Sequence, residues 1–199
     1  MLLPTLLLTT GMEAFADRVS DALSLKGQLL VAAPSIKDPG FAKTVILILE
    51  HDEYGALGLI VNKAMVSGPL DVFLQGFGLD LPNPEKIKDM TMRLHYGGPV
   101  ESAALFVIHS RDVTIATSQD VLEGVAVTTN PEMLNRLASG DGPKRYLMVL
   151  GYSGWGAGQL ESEIEREDWV SAPAEAGVIF AEDPEAVWDE VLKGAGLKL

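Results

Sequence analysis

The chain has 199 residues, enough for one domain of ordinary size with its own apolar core and too few for two large domains and a linker. Hydrophobic residues make up 47% and charged residues 22%, which excludes a disordered or fibrous chain, and the lack of cysteine excludes a disulfide framework, a thiolate metal site and a cysteine nucleophile. With 28 acidic and 15 basic side chains the formal net charge is -13, a balance that repels phosphate backbones, because non-specific nucleic-acid affinity comes from clustered Lys and Arg. The acidity is uneven, with 11 acidic and 3 basic residues at positions 146–199. A solvated face accounts for this, and an acidic docking surface for a basic partner is the alternative.

Met1 to Leu8 is apolar and Ala14-Phe15-Ala16 imitates a signal-peptidase site. No Lys or Arg precedes the stretch, however, and Pro4 and Thr5 break it well short of a membrane span of about 20 residues. The expectation is a cytoplasmic protein with no membrane segment, and Met12 is an alternative start. Residues 1–24 read as an N-terminal extension with an amphipathic helix over Glu13 to Leu25, where Phe15, Val19, Ala22 and Leu23 have helical spacing. Residues 25–199 read as the single domain.

Strands follow at Gln28 to Ala33 and Lys43 to Glu50, the second containing Val45-Ile46-Leu47-Ile48-Leu49. Ala56 to Asn62 is a third, joined through His51-Asp52-Glu53-Tyr54-Gly55 in a hairpin, and Asn62-Lys63 closes it. From Ser67 to Met92, Pro69, Gly76, Gly78, Pro82 and Pro84 punctuate short helical pieces in what reads as the most variable region. Leu94 to Tyr96 leads into Gly97-Gly98-Pro99, and Ala103 to His109, Val113 to Ala116 and Val125 to Thr128 read as strands, with a turn of helix beginning at Ser118 over Gln119 to Val121. Pro131 to Ala138 is a helix capped by Asn130, Arg145 to Leu150 a buried strand, and Gln159 to Glu167 a helix. Gly177 to Phe180 is expected as a strand and Pro184 to Leu192 as a helix capped by Asp183. Strands outnumber helices and hairpin-sized loops join several, so the fold class is α+β, one compact domain with a largely antiparallel, barrel-like sheet flanked by helices.

The segment from Leu150 to Glu161 carries four closely spaced glycines and reads as a strand-to-helix turn. It fails the phosphate-loop and dinucleotide patterns, and Gly151-Tyr152-Ser153-Gly154-Trp155 misses a nucleophile elbow by one residue. A structural turn with Trp155 in the core is the first reading and a partner surface the second. His51, His95 and His109 lack metal-pair spacing, and each reads first as anchoring backbone groups. Glu161, Glu163 and Glu165 alternate, which spreads them around a helix as surface solvation and leaves a paired-carboxylate catalyst unsupported.

Several motifs together resemble one family. In order they are Gly27-Gln28-Leu29-Leu30-Val31-Ala32-Ala33-Pro34, Asp38-Pro39-Gly40-Phe41, Glu50-His51, Gly55 with Gly58-Leu59-Ile60-Val61-Asn62-Lys63, Gly97-Gly98-Pro99-Val100, and Gly151-Tyr152 with Trp155 and Gly158-Gln159-Leu160-Glu161. This order is similar to the bacterial YqgE/AlgH family from about Leu25 to Leu197, and Trp169 to Pro173 fits its tryptophan followed by an alanine-proline step. Ser153 stands where the family often has Ala. The resemblance implies an α+β fold with a barrel-like sheet and no established enzymatic activity, and some members are described as regulators of transcription.

The expectation is therefore a non-enzymatic regulatory or binding module, an indirect regulator of transcription, with no cofactor and no metal. Its partner is a protein or a small ligand, and direct nucleic-acid binding is not expected. The candidate binding surface comprises His51, Asn62, Gly97, Gly98, Tyr152, Gly154, Trp155 and Gln159. One alternative is a small hydrolase using Ser153 with a histidine base and backbone N–H groups near Gly154 and Gly156. Another, direct DNA binding, requires Lys37, Lys43, Lys63, Arg93 and Lys144 to form a basic stripe.

Overall fold

Ten strands and six helices lie within residues 24–195, the part of the chain that the computed structural model describes. In chain order they are β1 (Gln28–Ala32), β2 (Val45–Asp52), β3 (Gly55–Ile60), β4 (Ala64–Pro69), α1 (Leu70–Gly76), α2 (Pro84–Ile87), β5 (Thr91–Tyr96), β6 (Val100–Ser110), β7 (Gln119–Leu122) and β8 (Val125–Thr128). Then come α3 (Glu132–Ser139), β9 (Tyr146–Gly156), α4 (Gln159–Glu165), β10 (Trp169–Pro173), α5 (Ala176–Ile179) and α6 (Val187–Gly194). The main sheet runs β10-β1-β2-β3-β9-β6-β8-β7, antiparallel throughout, and β5 adds to β9 in parallel with β4 on its far side. The fold is α+β in one domain, with the sheet curled toward a barrel.

Strand β9 is the spine. Its first half, Met148 to Leu150, pairs with β5, and its second half, Ser153 to Gly156, pairs with β3 along the same edge, while β6 occupies the other edge. At the ends of the path Gly27 permits the curl: its φ is +76°, and a Cβ there would lie 2.7 Å from the Val121 carbonyl oxygen. Glycine alone lets β7 press against the turn that enters β1.

Side-chain alternation explains why β1 and β2 are continuous apolar runs. Leu29, Val31, Val45 and Leu47 enter one core together with Ile108, Val127 and Val149, whereas Leu30, Ala32, Ile46 and Ile48 enter another with Trp155, Leu160 and Trp169. A sheet covered on both faces has no polar alternation to show. The first core is closed by Ile179, Val187, Trp188 and Leu192, and the Trp188 indole N–H donates to the Ala32 carbonyl at 2.8 Å. A third core gathers Leu70, Leu74, Ile87, Met133 and Leu137 from α1, α2 and α3 against Met92 and Met148.

Several elements differ from their sequence reading. Gly177 to Ile179 belong to helix α5 and Phe180 caps its C-terminus, because a short apolar run does not distinguish a strand from a buried helical turn. Val113 to Ala116 is irregular and Gln119 to Leu122 is a strand, since pairing with β8 outweighs the local cap pattern at Ser118. Strands β4 and β10 escape the apolar-run criterion: β4 is almost wholly exposed, and β10 alternates along β1. Helix α6 begins at Val187, with the Asp183 carboxylate accepting the Glu185 N–H at 3.0 Å one turn earlier. The β2–β3 hairpin closes at Glu53-Tyr54, so Asn62-Lys63 lies beyond β3 and does not close it. Gly151, Gly154 and Gly156 are strand residues of β9, and the turn is confined to Ala157-Gly158. The helix expected over Glu13 to Leu25 lies, apart from its last two residues, outside the described residues.

Candidate functional site

The eight candidate residues do not form one continuous surface. Gly97 and Gly98 are packing positions, because a Cβ on Gly98 would sit 2.2 Å from the Tyr152 carbonyl carbon and one on Gly97 2.2 Å from the Gly151 oxygen. This close approach lets the Gly97 carbonyl accept both the Ile60 N–H at 3.1 Å and the Ser153 hydroxyl at 3.1 Å. Asn62 is buried and spends its amide on the backbone: Oδ1 accepts the Val45 N–H at 2.7 Å and Nδ2 donates to the Lys43 carbonyl at 2.9 Å.

Trp155 and Gln159 belong to a clamp that the sequence reading missed. Glu163 Oε2 accepts both the Trp155 and the Trp169 indole N–H, each at 2.8 Å, while its Oε1 takes Gln159 Nε2 at 2.9 Å. Gln159 in turn accepts the Gly156 N–H at 3.1 Å, and the two indoles meet edge to face at 6.0 Å. Burial alone would raise the Glu163 carboxyl; the hydrogen bonds from Gln159, Trp169 and Trp155 outweigh it and hold the group below its ordinary value. The spacing Gln159 to Glu163, one helical turn, was the available sign of this cluster.

His51 is anchored at both ring nitrogens. The Leu25 N–H donates to Nδ1 at 2.9 Å, so the proton sits on Nε2, which donates to Glu161 at 2.8 Å. Glu161 is held below the usual carboxylate range by its own backbone N–H and by this bond. His109 likewise donates from Nδ1 to the Ser110 carbonyl at 3.0 Å and accepts at Nε2 from Ser118 Oγ at 2.9 Å. His95 is buried, and among the described residues neither ring nitrogen makes a hydrogen bond of ordinary geometry, the Val61 backbone being the one backbone group that acts on it. Burial, reinforced by the Arg93 charge, pushes its pKa down to about 4.

What the structure does assemble is the β2–β3 hairpin with Tyr152 and Gly154. On one side a cleft of about 420 Å³ is lined by Glu50, Asp52, Tyr54, Leu57, Val100, Tyr152, Gly154 and Trp155. On the other, a groove of about 480 Å³ is lined by Leu25, His51, Asp52, Glu53, Glu161, Ile164 and Glu165. Tyr54 stands between them at the hairpin tip, 79% exposed. Asn62 borders a third cleft of about 570 Å³ with Lys63, Tyr96, Asp183 and Glu185, where Lys63 Nζ donates to the Pro39 and Gly40 carbonyls. Burial pulls the Lys63 ammonium below its ordinary value.

Comparison with known proteins accounts for the motif order. Residues 29–199 match the AlgH-like family across most of the chain. The chain belongs to this family. A UPF0301 protein of Methylococcus capsulatus is 43% identical over 173 residues, covering 87% of this chain and 92% of that one. A UPF0301 protein of Cereibacter sphaeroides is 38% identical, covering 88% and 94%. Among solved structures, the AlgH protein of Pseudomonas aeruginosa superposes with a TM-score of 0.71 at 33% identity, covering 88% of this chain and 91% of that one. The AlgH-like match covers every strand except the first residue of β1, so the hairpin and the clamp lie inside it, and of the groove beside the hairpin only the Ser24-Leu25 wall lies outside. Among the described residues no helix is long and apolar enough to cross a membrane.

Proposed function

We infer that this AlgH-like chain is a non-enzymatic binding module whose working surface is the β2–β3 hairpin, and that it receives a basic segment of a protein partner. The observation that carries this reading is Tyr54, 79% exposed at the tip, with Glu50 and Asp52 in the cleft on one side and Glu53, Glu161 and Glu165 in the groove on the other. An exposed tyrosine supplies apolar area with a polar end, and carboxylates around it steer a cationic partner into register. Such a module reaches transcription through another protein. Of the five cations that a nucleic-acid stripe would need, Lys37 and Lys63 hold backbone carbonyls and Lys43 sits over the Trp188 ring at 5.1 Å.

The serine-hydrolase alternative finds no support, since the Ser153 hydroxyl is fully buried and donates to Gly97, and His51 and His109 are bonded elsewhere. The test is affinity purification from native cells with and without nuclease, using the wild type, Tyr54→Ala and Glu53→Lys. A stoichiometric, nuclease-resistant protein that both variants lose, and that rising salt weakens, is the expected result. Retention by both variants, or dependence on nucleic acid, overturns the hairpin as the working surface.

A further inference from the structure

In a chain of net charge -13, one small cleft gathers three cations. Its space is about 200 Å³, and its lining includes Arg93 from β5, Lys144 and Arg145 at the start of β9, Tyr146 and Phe180. Because β5 and β9 run parallel, their N-terminal ends bring these cations to the same edge of the sheet.

The partners of the two arginines are neutral. Arg93 Nη1 donates to the Ala181 carbonyl at 3.1 Å and the Glu182 carbonyl at 2.6 Å, and the Arg145 guanidinium lies over the Phe180 ring at 5.0 Å. Lys86, Lys88, Arg111, Arg136 and Arg166 each pair with a carboxylate, and Lys37, Lys43 and Lys63 share the neutral pattern, but it is this cleft that sets three cations together. Lys144 faces the Asp112 carboxylate, which also accepts the Ser110 hydroxyl and the Lys144 backbone N–H, so the uncompensated charges of the cleft are the two guanidiniums. Carbonyl and aromatic partners orient a guanidinium without cancelling its charge, so the cleft keeps a positive field within an acidic surface.

The geometry points to this cleft as a binding site for a phosphate group, free or carried as the monoester of a small molecule. With Asp112 set against the Lys144 ammonium, the two guanidinium forks match a dianion in charge, and planar forks suit the spacing of phosphate oxygens. The volume is below the range of clefts that enclose a whole drug-sized ligand, so the anionic head fits and the remainder of an ester projects outward. Occupancy has a structural effect. Arg93 and Arg145 both hold the segment from Phe180 to Glu182, so an anion between them ties the cover of the first core to the sheet. None of these residues belongs to the hairpin surface.

The test titrates the full chain with inorganic phosphate and with phenyl phosphate, each against chloride at equal ionic strength, and follows backbone amide shifts and the unfolding midpoint. Saturable shifts centred on Thr91, Arg93, Lys144 and Arg145 are expected, with a Kd on the order of 1 mM and a raised midpoint. The variant K144Q/R145Q, which leaves Arg93 in place, is expected to fold and to bind at least about tenfold more weakly. Tighter binding of the ester assigns the site to a phosphorylated small molecule, and equal binding assigns it to free phosphate. Shifts matched by chloride, or unchanged affinity in the folded variant, overturn the site. Tighter binding of a short oligonucleotide than of the ester overturns the small-ligand assignment.

Discussion

The clamp around Glu163 and the hairpin around Tyr54 lie at neighbouring ends of β3 and β9, yet the first encloses its polar groups and the second leaves them open to solvent. In the clamp, both oxygens of Glu163, both indole N–H groups and the Gln159 amide are bonded within the protein. At the hairpin, Tyr54 projects outward and the carboxylates around it line open clefts. The difference teaches that conspicuous residues are poor guides to function when their polar atoms are already committed. Trp155 and Gln159 hold the fold, whereas the less conspicuous Tyr54 and Glu53 interact with each other at an exposed tip that a partner can reach.

The sharpest way to break this comparison is to remove the clamp. Trp155→Ala is expected to lower stability by about 3–5 kcal/mol in urea unfolding, through lost packing against Trp169 and a freed carboxylate. A loss confined to binding, with stability unchanged, would move Trp155 to the hairpin's class. Next in size is His95. Its folded pKa of about 4 lies below the 6.5 of an exposed imidazole, so the unfolded chain binds the proton first. The stability that rests on its neutral form is complete above pH 6.5 and is lost as pH falls toward 4, by about 3 kcal/mol in total. His95→Leu is expected to flatten that limb of a stability-versus-pH curve, and an unaltered slope would assign the loss to other groups.

Glu163→Ala is expected to cost about 2 kcal/mol by leaving two indole N–H groups without an acceptor, as urea unfolding would measure. The Glu163 carboxyl lies below its ordinary 4.5, so its contribution is present above that pH and fades as pH falls through the lower folded value. Glu163→Gln should therefore lose less stability than the wild type on passing into that acid range. The smallest effect on folding belongs to the hairpin. Tyr54→Ala is expected to leave the unfolding midpoint unchanged while weakening partner binding at least about tenfold, measured by calorimetry on the captured partner. A shifted midpoint would place Tyr54 with the clamp.

How much was legible follows from the same physics. Strands β1, β2 and β3 stand out because Leu29 to Val31 and Val45 to Leu49 are apolar on both faces. Strand β4 has no buried residue in Ala64 to Pro69, so no hydrophobic pattern marks it. The run at Val178 to Phe180 is apolar in a way that suits a strand or a single helical turn equally. At the candidate site, the hairpin was visible through Gly55 and its polar flank. The commitments of His51, Asn62 and Glu163 were not, because Leu25 and Val45 reach the first two only through the tertiary fold and the indole of Trp169 turns back to Glu163 only when β10 pairs with β1. The burial of His95 was hidden for the matching reason, since it arises from β4 and β9 closing on either side of it.

The position of β9 in the sheet bears on synthesis at the ribosome. Strands β3, β5 and β6 all pair with a segment that begins only at Tyr146, so a chain emerging in order makes its β2–β3 hairpin and its β4–β5 pair long before either can be joined. At about 5–20 residues per second, the interval from β5 to the end of β9 lasts about 3–12 s. Throughout it the nascent chain presents two open edges side by side, bridged by a strand not yet made.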